Sequence, residues 1–150
     1  MKRRDALAAT ASLSVGLGLL ALVRPASATP AEMAAAINTF TGGAAPQTGK
    51  VTFDVAQLID NGNAVPVTIS VDGPPENVRA IAIFTERNPQ TEVAIFTLSP
   101  RSGRAAVSTR IRLATSQRLM AVARMSDGSY WSHGVDVIVA LAACIEGEAP

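Results

Sequence analysis

Cys144 is the only cysteine in the 150-residue chain, six residues before Pro150. A thiolate is a strong nucleophile, and its reactivity follows from exposure and local charge. With no second cysteine, this thiol cannot close an internal disulfide. It could carry a covalent adduct, form a transient intermolecular disulfide, or be an incidental tail residue. The one histidine, His133, stands beside Gly134 with no second histidine or cysteine near it in sequence. It reads as a partly exposed strand residue, and no metal or cofactor is expected. Tyr130 and Trp131 read as core anchors. Arg101, Arg104, Arg110, Arg112, Arg118 and Arg124 could form a basic stripe that attracts an anion or acidic partner, or they are ordinary solvated charges. No glycine-rich phosphate loop, Ser-His-Asp set or carboxylate pair emerges from the spacing. Catalytic residues are therefore not expected, and Cys144 is the candidate site as a carrier thiol.

The elements around these residues begin with an export leader. Met1-Lys2-Arg3-Arg4 is a basic start, followed by an apolar stretch from about Ala6 to Val23 and an A-x-A site at Ala26-Ser27-Ala28. The paired arginines suggest the twin-arginine route. Residues 1–28 are read as a cleaved signal, leaving a mature chain from Thr29, periplasmic and without stable membrane association. The leader holds four basic residues against one acidic, so the remainder has nine against eleven. That weakly acidic balance gives no reason to expect nucleic-acid binding. The length suits one domain, which buries roughly 65% of its unfolded surface without needing disulfides or metal.

Residues 29–46 are expected to form a short alanine-rich helix, about Pro30 to Phe40, and a linker. Residues 47–141 read as strands. Val51, Phe53 and Val55 alternate with Thr52 and Asp54. Asn61-Gly62-Asn63 is a turn signal. Val65 to Val71 follows, with Pro66 placing it at an edge or at the start of a ladder. Val78 to Thr85 and Glu92 to Leu98 flank Glu86-Arg87-Asn88-Pro89. Ala105 to Leu113 sets Val107, Thr109, Ile111 and Leu113 against Ser108, Arg110 and Arg112. Arg118 to Met125 leads through Asp127-Gly128 to Tyr130 to Leu141, with a break expected at His133-Gly134. About seven short strands with a turn every 8–12 residues describe an all-β, antiparallel β-sandwich. Residues 142–150 form a C-terminal arm carrying Cys144, which stands about 17 Å beyond Val139 at full extension.

Three runs carry a family resemblance. They are Ala82-Ile83-Phe84-Thr85-Glu86-Arg87-Asn88-Pro89 with Val93 to Pro100, Val107-Ser108-Thr109-Arg110-Ile111-Arg112-Leu113-Ala114, and Val122-Ala123-Arg124-Met125-Ser126-Asp127-Gly128-Ser129-Tyr130-Trp131. Together they resemble the SoxY subunit of the bacterial thiosulfate-oxidising system. The resemblance extends from Asn63 to Cys144. It implies an immunoglobulin-like sandwich that forms a heterodimer with a SoxZ-like β-sandwich subunit. It also implies sulfur intermediates held on Cys144 in the periplasm, while a c-type cytochrome enzyme and a sulfate-releasing hydrolase act on them. The protein itself would be a covalent scaffold and not an enzyme. A partner-binding module in which the cysteine is incidental is the alternative. The tail departs from the family's glycine-flanked cysteine, reading Ala142-Ala143-Cys144-Ile145-Glu146-Gly147-Glu148. Alanines have less backbone freedom than glycines, and nearby carboxylates disfavour a thiolate.

Overall fold

The computed structural model describes residues 27–140. One helix, α1 (Pro30–Thr41), precedes eight strands. They are β1 (Val51–Asp54), β2 (Leu58–Ile59), β3 (Val65–Val71), β4 (Val78–Thr85), β5 (Glu92–Thr97), β6 (Ala106–Ile111), β7 (Gln117–Met125) and β8 (Tyr130–Val139). They make two sheets, β1-β3-β6 and β2-β8-β7-β4-β5. This is the β-sandwich expected from the alternating runs. The extra strand is the two-residue β2, which pairs parallel to the end of β8 through Leu58 with Ile138 and Ile59 with Val139.

Between the sheets, Val65, Val67 and Ile69 of β3 meet Ile81 and Ile83 of β4 and Leu119 of β7, all fully buried. The opposite face of the larger sheet is covered in part by α1. Met33 packs there with Ala82, Phe84 and Val122, and Phe40 meets the rings of Phe84 and Tyr130 edge-on at 5.9 and 6.0 Å. With apolar neighbours on both faces, β4 is buried at every position but Arg79, as a strand covered on both sides must be. The helix starts sharply. Thr29 caps it, accepting from the Glu32 N–H at 3.2 Å, and the Glu32 carboxylate accepts the Thr29 N–H at 2.7 Å. This reciprocal box follows from Thr-x-x-Glu with proline at the first helical position.

Pro66 lies at the start of a ladder. It pairs with Arg110 of β6, while β1 reaches β3 only from Thr68 to Val71, so no partner on that side lacks a donor.

Two expectations are corrected. First, β8 is not broken at His133-Gly134. Both residues keep register with β7, His133 opposite Ala121 and Gly134 opposite Met120. The Arg118 guanidinium lies over the glycine: a Cβ there would stand 2.8 Å from one of its nitrogens, the end of a flexible side chain that can swing aside. Arg118 lies across the strand at that point and pairs with Asp136 at 3.1 Å. Second, of the two readings left open for the arginines, the single stripe is the one that does not form. Arg110 belongs to the small sheet, while Arg118 and Arg124 belong to the large one. Arg118 is engaged with Asp136, and the Arg124 guanidinium lies 6.0 Å from the centre of the Phe40 ring.

His133 ties the two sheets together. Its Nδ1 accepts the Phe53 N–H at 2.9 Å, so its proton sits on Nε2. The His133→Phe substitution keeps the ring but leaves the Phe53 N–H without its acceptor. It should cost about 1–3 kcal/mol in urea denaturation. An unchanged midpoint would show that water replaces the imidazole.

Trp131 is a half-buried anchor, as expected of it. It packs on the core, donates from Nε1 to Ser129 Oγ at 3.1 Å and lies under the Lys50 ammonium at 4.6 Å. Gln47 clamps the spacer to the same place, donating to Tyr130 O and accepting from the Ser132 N–H. The turn before it is set by Asp127. Its Oδ1 accepts from Ser129 Oγ at 2.6 Å and the Ser129 N–H at 2.9 Å, and these bonds hold the carboxyl below its ordinary value. A depressed folded value means the turn's contribution is complete above about pH 4 and is lost as pH falls through the lowered value. The Asp127→Asn variant should therefore flatten the acid limb of the stability profile. An acid limb identical to that of the parent would contradict this.

Candidate functional site

Cys144 lies outside the described residues, and so does the rest of the proposed arm. What the structure defines is the end of β8, from which the proposed arm would leave. β8 runs antiparallel to β7, so its last residues lie beside Gln117 at one end of the sandwich. Three backbone N–H groups fix this exit. Ile138 donates to Gln57 O at 2.7 Å, Val139 to Ser116 Oγ at 2.8 Å, and Ala140 to Ile59 O at 2.8 Å. The short β2 exists to make this clamp, and it lies outside what alternation can reveal. Cys144 is four residues beyond Ala140, about 13 Å at full extension.

The same end gathers the β4–β5 turn, the β6–β7 loop and the Asn61-Gly62 turn, whose Gly62 carbonyl accepts the Leu113 N–H. A buried polar network joins the first two. Asn88 Nδ2 donates to Arg112 O at 2.7 Å, and its Oδ1 accepts the Ala114 N–H and Gln117 Nε2, both at 2.9 Å. Gln117 Nε2 also reaches Thr115 O, and its Oε1 accepts the Arg87 N–H at 2.8 Å. No buried side-chain nitrogen or oxygen among the described residues is left unpaired, so the network rigidifies this end. In the uncleaved chain the Ala28 N–H also reaches Asn88 O and Ser27 Oγ reaches Arg87 O. Sequence reading treated Asn88 as a turn residue. The Asn-Pro dipeptide signals the turn, but not that the amide would be buried.

Two surface features flank the exit. On the outer face of the large sheet, Leu58 and Ile138 are register partners and are 65% and 63% exposed. At the sheet's far side, Asn88, Pro89, Gln90, Val93, Arg112 and Ala114 line an open pocket of about 380 Å³. Among the described residues, no group of three or more His, Cys, Asp or Glu is placed to hold a metal. No helix among them is long and apolar enough to cross a membrane.

The family model described as sulfur oxidation protein SoxY matches residues 37–144, well over half of the chain, and the match ends on Cys144. The chain belongs to the SoxY family. This SoxY-family chain is similar to the solved structure of the sulfur carrier protein SoxY from Chlorobium limicola f thiosulfatophilum. The two share 29% identity with a TM-score of 0.61, over 73% of this chain and 96% of that one. It is also similar to superoxide reductase (neelaredoxin) from Ignicoccus hospitalis, at 15% identity and TM-score 0.54, over 75% and 94% of the respective chains. Superoxide reductase from Nanoarchaeum equitans matches at 11% identity and TM-score 0.51, over 62% and 100%. At those identities the reductases share the fold alone. No curated protein matches the chain.

Proposed function

We propose that this SoxY-family protein is an exported sulfur carrier that holds sulfur intermediates on Cys144 while partner enzymes act on them. The observation that carries the reading is the family match, which extends to Cys144. The clamped end of β8 supports it, because a short tether on a rigid base delivers an attached group to a separate active site at little entropic cost. The family's chemistry, applied here, needs three steps. The Cys144 thiolate and thiosulfate join through a new S–S bond, and two electrons pass to a c-type cytochrome partner. Water then cleaves the terminal S–S bond, sulfate leaves with two protons, and a persulfide stays on Cys144. The sulfane sulfur left on Cys144 is the substrate of a further oxidising enzyme. The scaffold supplies the nucleophile and no catalytic group.

The remaining parts of the proposal rest on sequence. The basic start, apolar stretch and A-x-A site support a leader over 1–28 that directs the chain to the periplasm. Residues 47–141 are then the carrier domain and 142–150 its arm. A SoxZ-like sandwich is the proposed partner. The exposed Leu58 and Ile138 pair favours a second reading, in which the sandwich is a binding module and the cysteine is incidental. Alkylation separates the two. Protein blocked at Cys144 with iodoacetamide, mixed with thiosulfate and the cytochrome partner, should support no cytochrome reduction. Reduction at the full rate would favour the binding module.

A further inference from the structure

One side of the sandwich is closed, because the Phe53 N–H of edge strand β1 is taken by His133 of β8. On the other side β5 ends the large sheet, with β4 as its one neighbour. Alternation fixes where its backbone points. The Leu98 N–H donates to Arg79 O across the ladder. Leu98 with Arg79 is thus a hydrogen-bonded pair, and so is Phe96 with Ile81. Ile95 and Thr97 occupy the intervening pairs, opposite Ala82 and Ala80, and their N–H and C=O groups turn outward. These four groups have no hydrogen-bond partner among the described residues. Such an edge is a template for another strand, and proteins blunt it with a charge or a proline. The β6 edge carries Arg110, and β2 is two residues long. Residues 93–97 of β5 have no charge and no proline, and Ile95 among them is 46% exposed. The bulge at Ile83/Phe84 leaves Val93 without a partner on β4, which confines the regular free edge to residues 94–97.

This strip is complementary to itself. We infer that β5 pairs antiparallel with β5 of a second copy, about a two-fold axis at Phe96. That register sets Ile95 of each copy opposite Thr97 of the other, and four hydrogen bonds then satisfy every outward group on both edges. The Phe96 side chains, half-buried against the core, become neighbours at the axis and carry the apolar layer from one sandwich into the next. Like charges do not meet, since Glu92 runs toward the turn that carries Arg101 of the second copy. A strand of an unrelated partner would need none of this symmetry. The inference stands on the sheet edge and is independent of what Cys144 carries.

The test is sedimentation velocity on the purified protein, with a cross-link to read the register. So short a contact makes a small, transient interface, and half-dimerisation is expected at about 10–100 µM. Ile95→Lys charges the edge and should weaken the dimer at least about tenfold. In a Cys144→Ser background, Ile95→Cys and Thr97→Cys each give a chain with one thiol at an exposed position, so the fold is spared. Mixed and oxidised, the two chains should form a disulfide with each other, because paired Cα atoms about 5.5 Å apart suit one. Neither should cross-link to itself, because its own thiols then stand on diagonal positions about 7–8 Å apart. A protein monomeric up to about 500 µM, well above the expected midpoint, would overturn the inference and leave the edge to a strand of another protein. Ile95→Lys dimerising like the parent, or self-linked Ile95→Cys exceeding the mixed product, would overturn it equally.

Discussion

Cells whose only copy of this protein carries Cys144→Ser should oxidise no thiosulfate through it, while the protein accumulates and unfolds like the parent. The substitution changes one atom. A serine hydroxyl is not ionised near neutral pH and cannot form the S–S bond on which the proposed cycle depends. It also lies four residues beyond Ala140, the last of the described residues, and serine is close to cysteine in size, so the fold has little reason to respond. The two readouts together make the prediction sharp. Lost activity with an unchanged unfolding midpoint is the carrier result. Full activity would leave the family membership intact and move the function to the binding surface.

The Asn88→Ala substitution should do the reverse, lowering stability strongly while leaving the thiol in place. Asn88 is 9% exposed, and its amide serves the Arg112 carbonyl, the Ala114 N–H and Gln117 Nε2 at once. Removing it strands buried Gln117 Nε2 and the part-buried Arg112 carbonyl and Ala114 N–H, with about 1–3 kcal/mol lost for each group that water does not reach. A total of roughly 3 kcal/mol lowers the melting temperature of a domain this size by about 10–15 °C. The Gln117→Ala variant should cost less, because Asn88 keeps the Ala114 N–H and the Arg112 carbonyl, the carbonyl of exposed Thr115 can hydrate, and the Arg87 N–H alone loses its acceptor. The double variant should cost less than the sum, as expected for members of one network. Strict additivity would show that the two amides act independently. The damage should be local as well as global, since the network sets the β6–β7 loop whose Ser116 clamps β8.

Much of the fold was legible because its strands alternate cleanly. β1 buries Val51 and Phe53 and exposes Thr52 and Asp54, and β6 exposes Ser108 and Arg110 as its pattern requires. The helix announced itself through its alanines, while the capping box at Thr29 and Glu32 came from the structure. What escaped was whatever depends on contacts distant in sequence. β2 is two residues long and exists only through its pairing with β8, 80 residues on. Gly134 looks like a break until its pairing with Met120 of β7 is seen to keep the strand in register. A stripe was one of two readings of the arginines, because consecutive strands usually neighbour one another. The chain instead changes sheets between β6 and β7, which separates Arg110 from Arg118. Asn88 carries the signature of a turn, while its burial depends on a loop 24 to 29 residues away. Cys144 was legible in the opposite way, as the lone thiol after the last strand, with no geometry needed to single it out.

The central claim is that Cys144 carries sulfur. The direct measurement is the intact mass of the protein purified from the periplasm of cells oxidising thiosulfate, before and after reduction. Reducible additions that map to Cys144, in steps of one sulfur or of a sulfonate-bearing group, are the predicted result. A bare thiol at every stage, in cells that still require the protein for growth on thiosulfate, would contradict it.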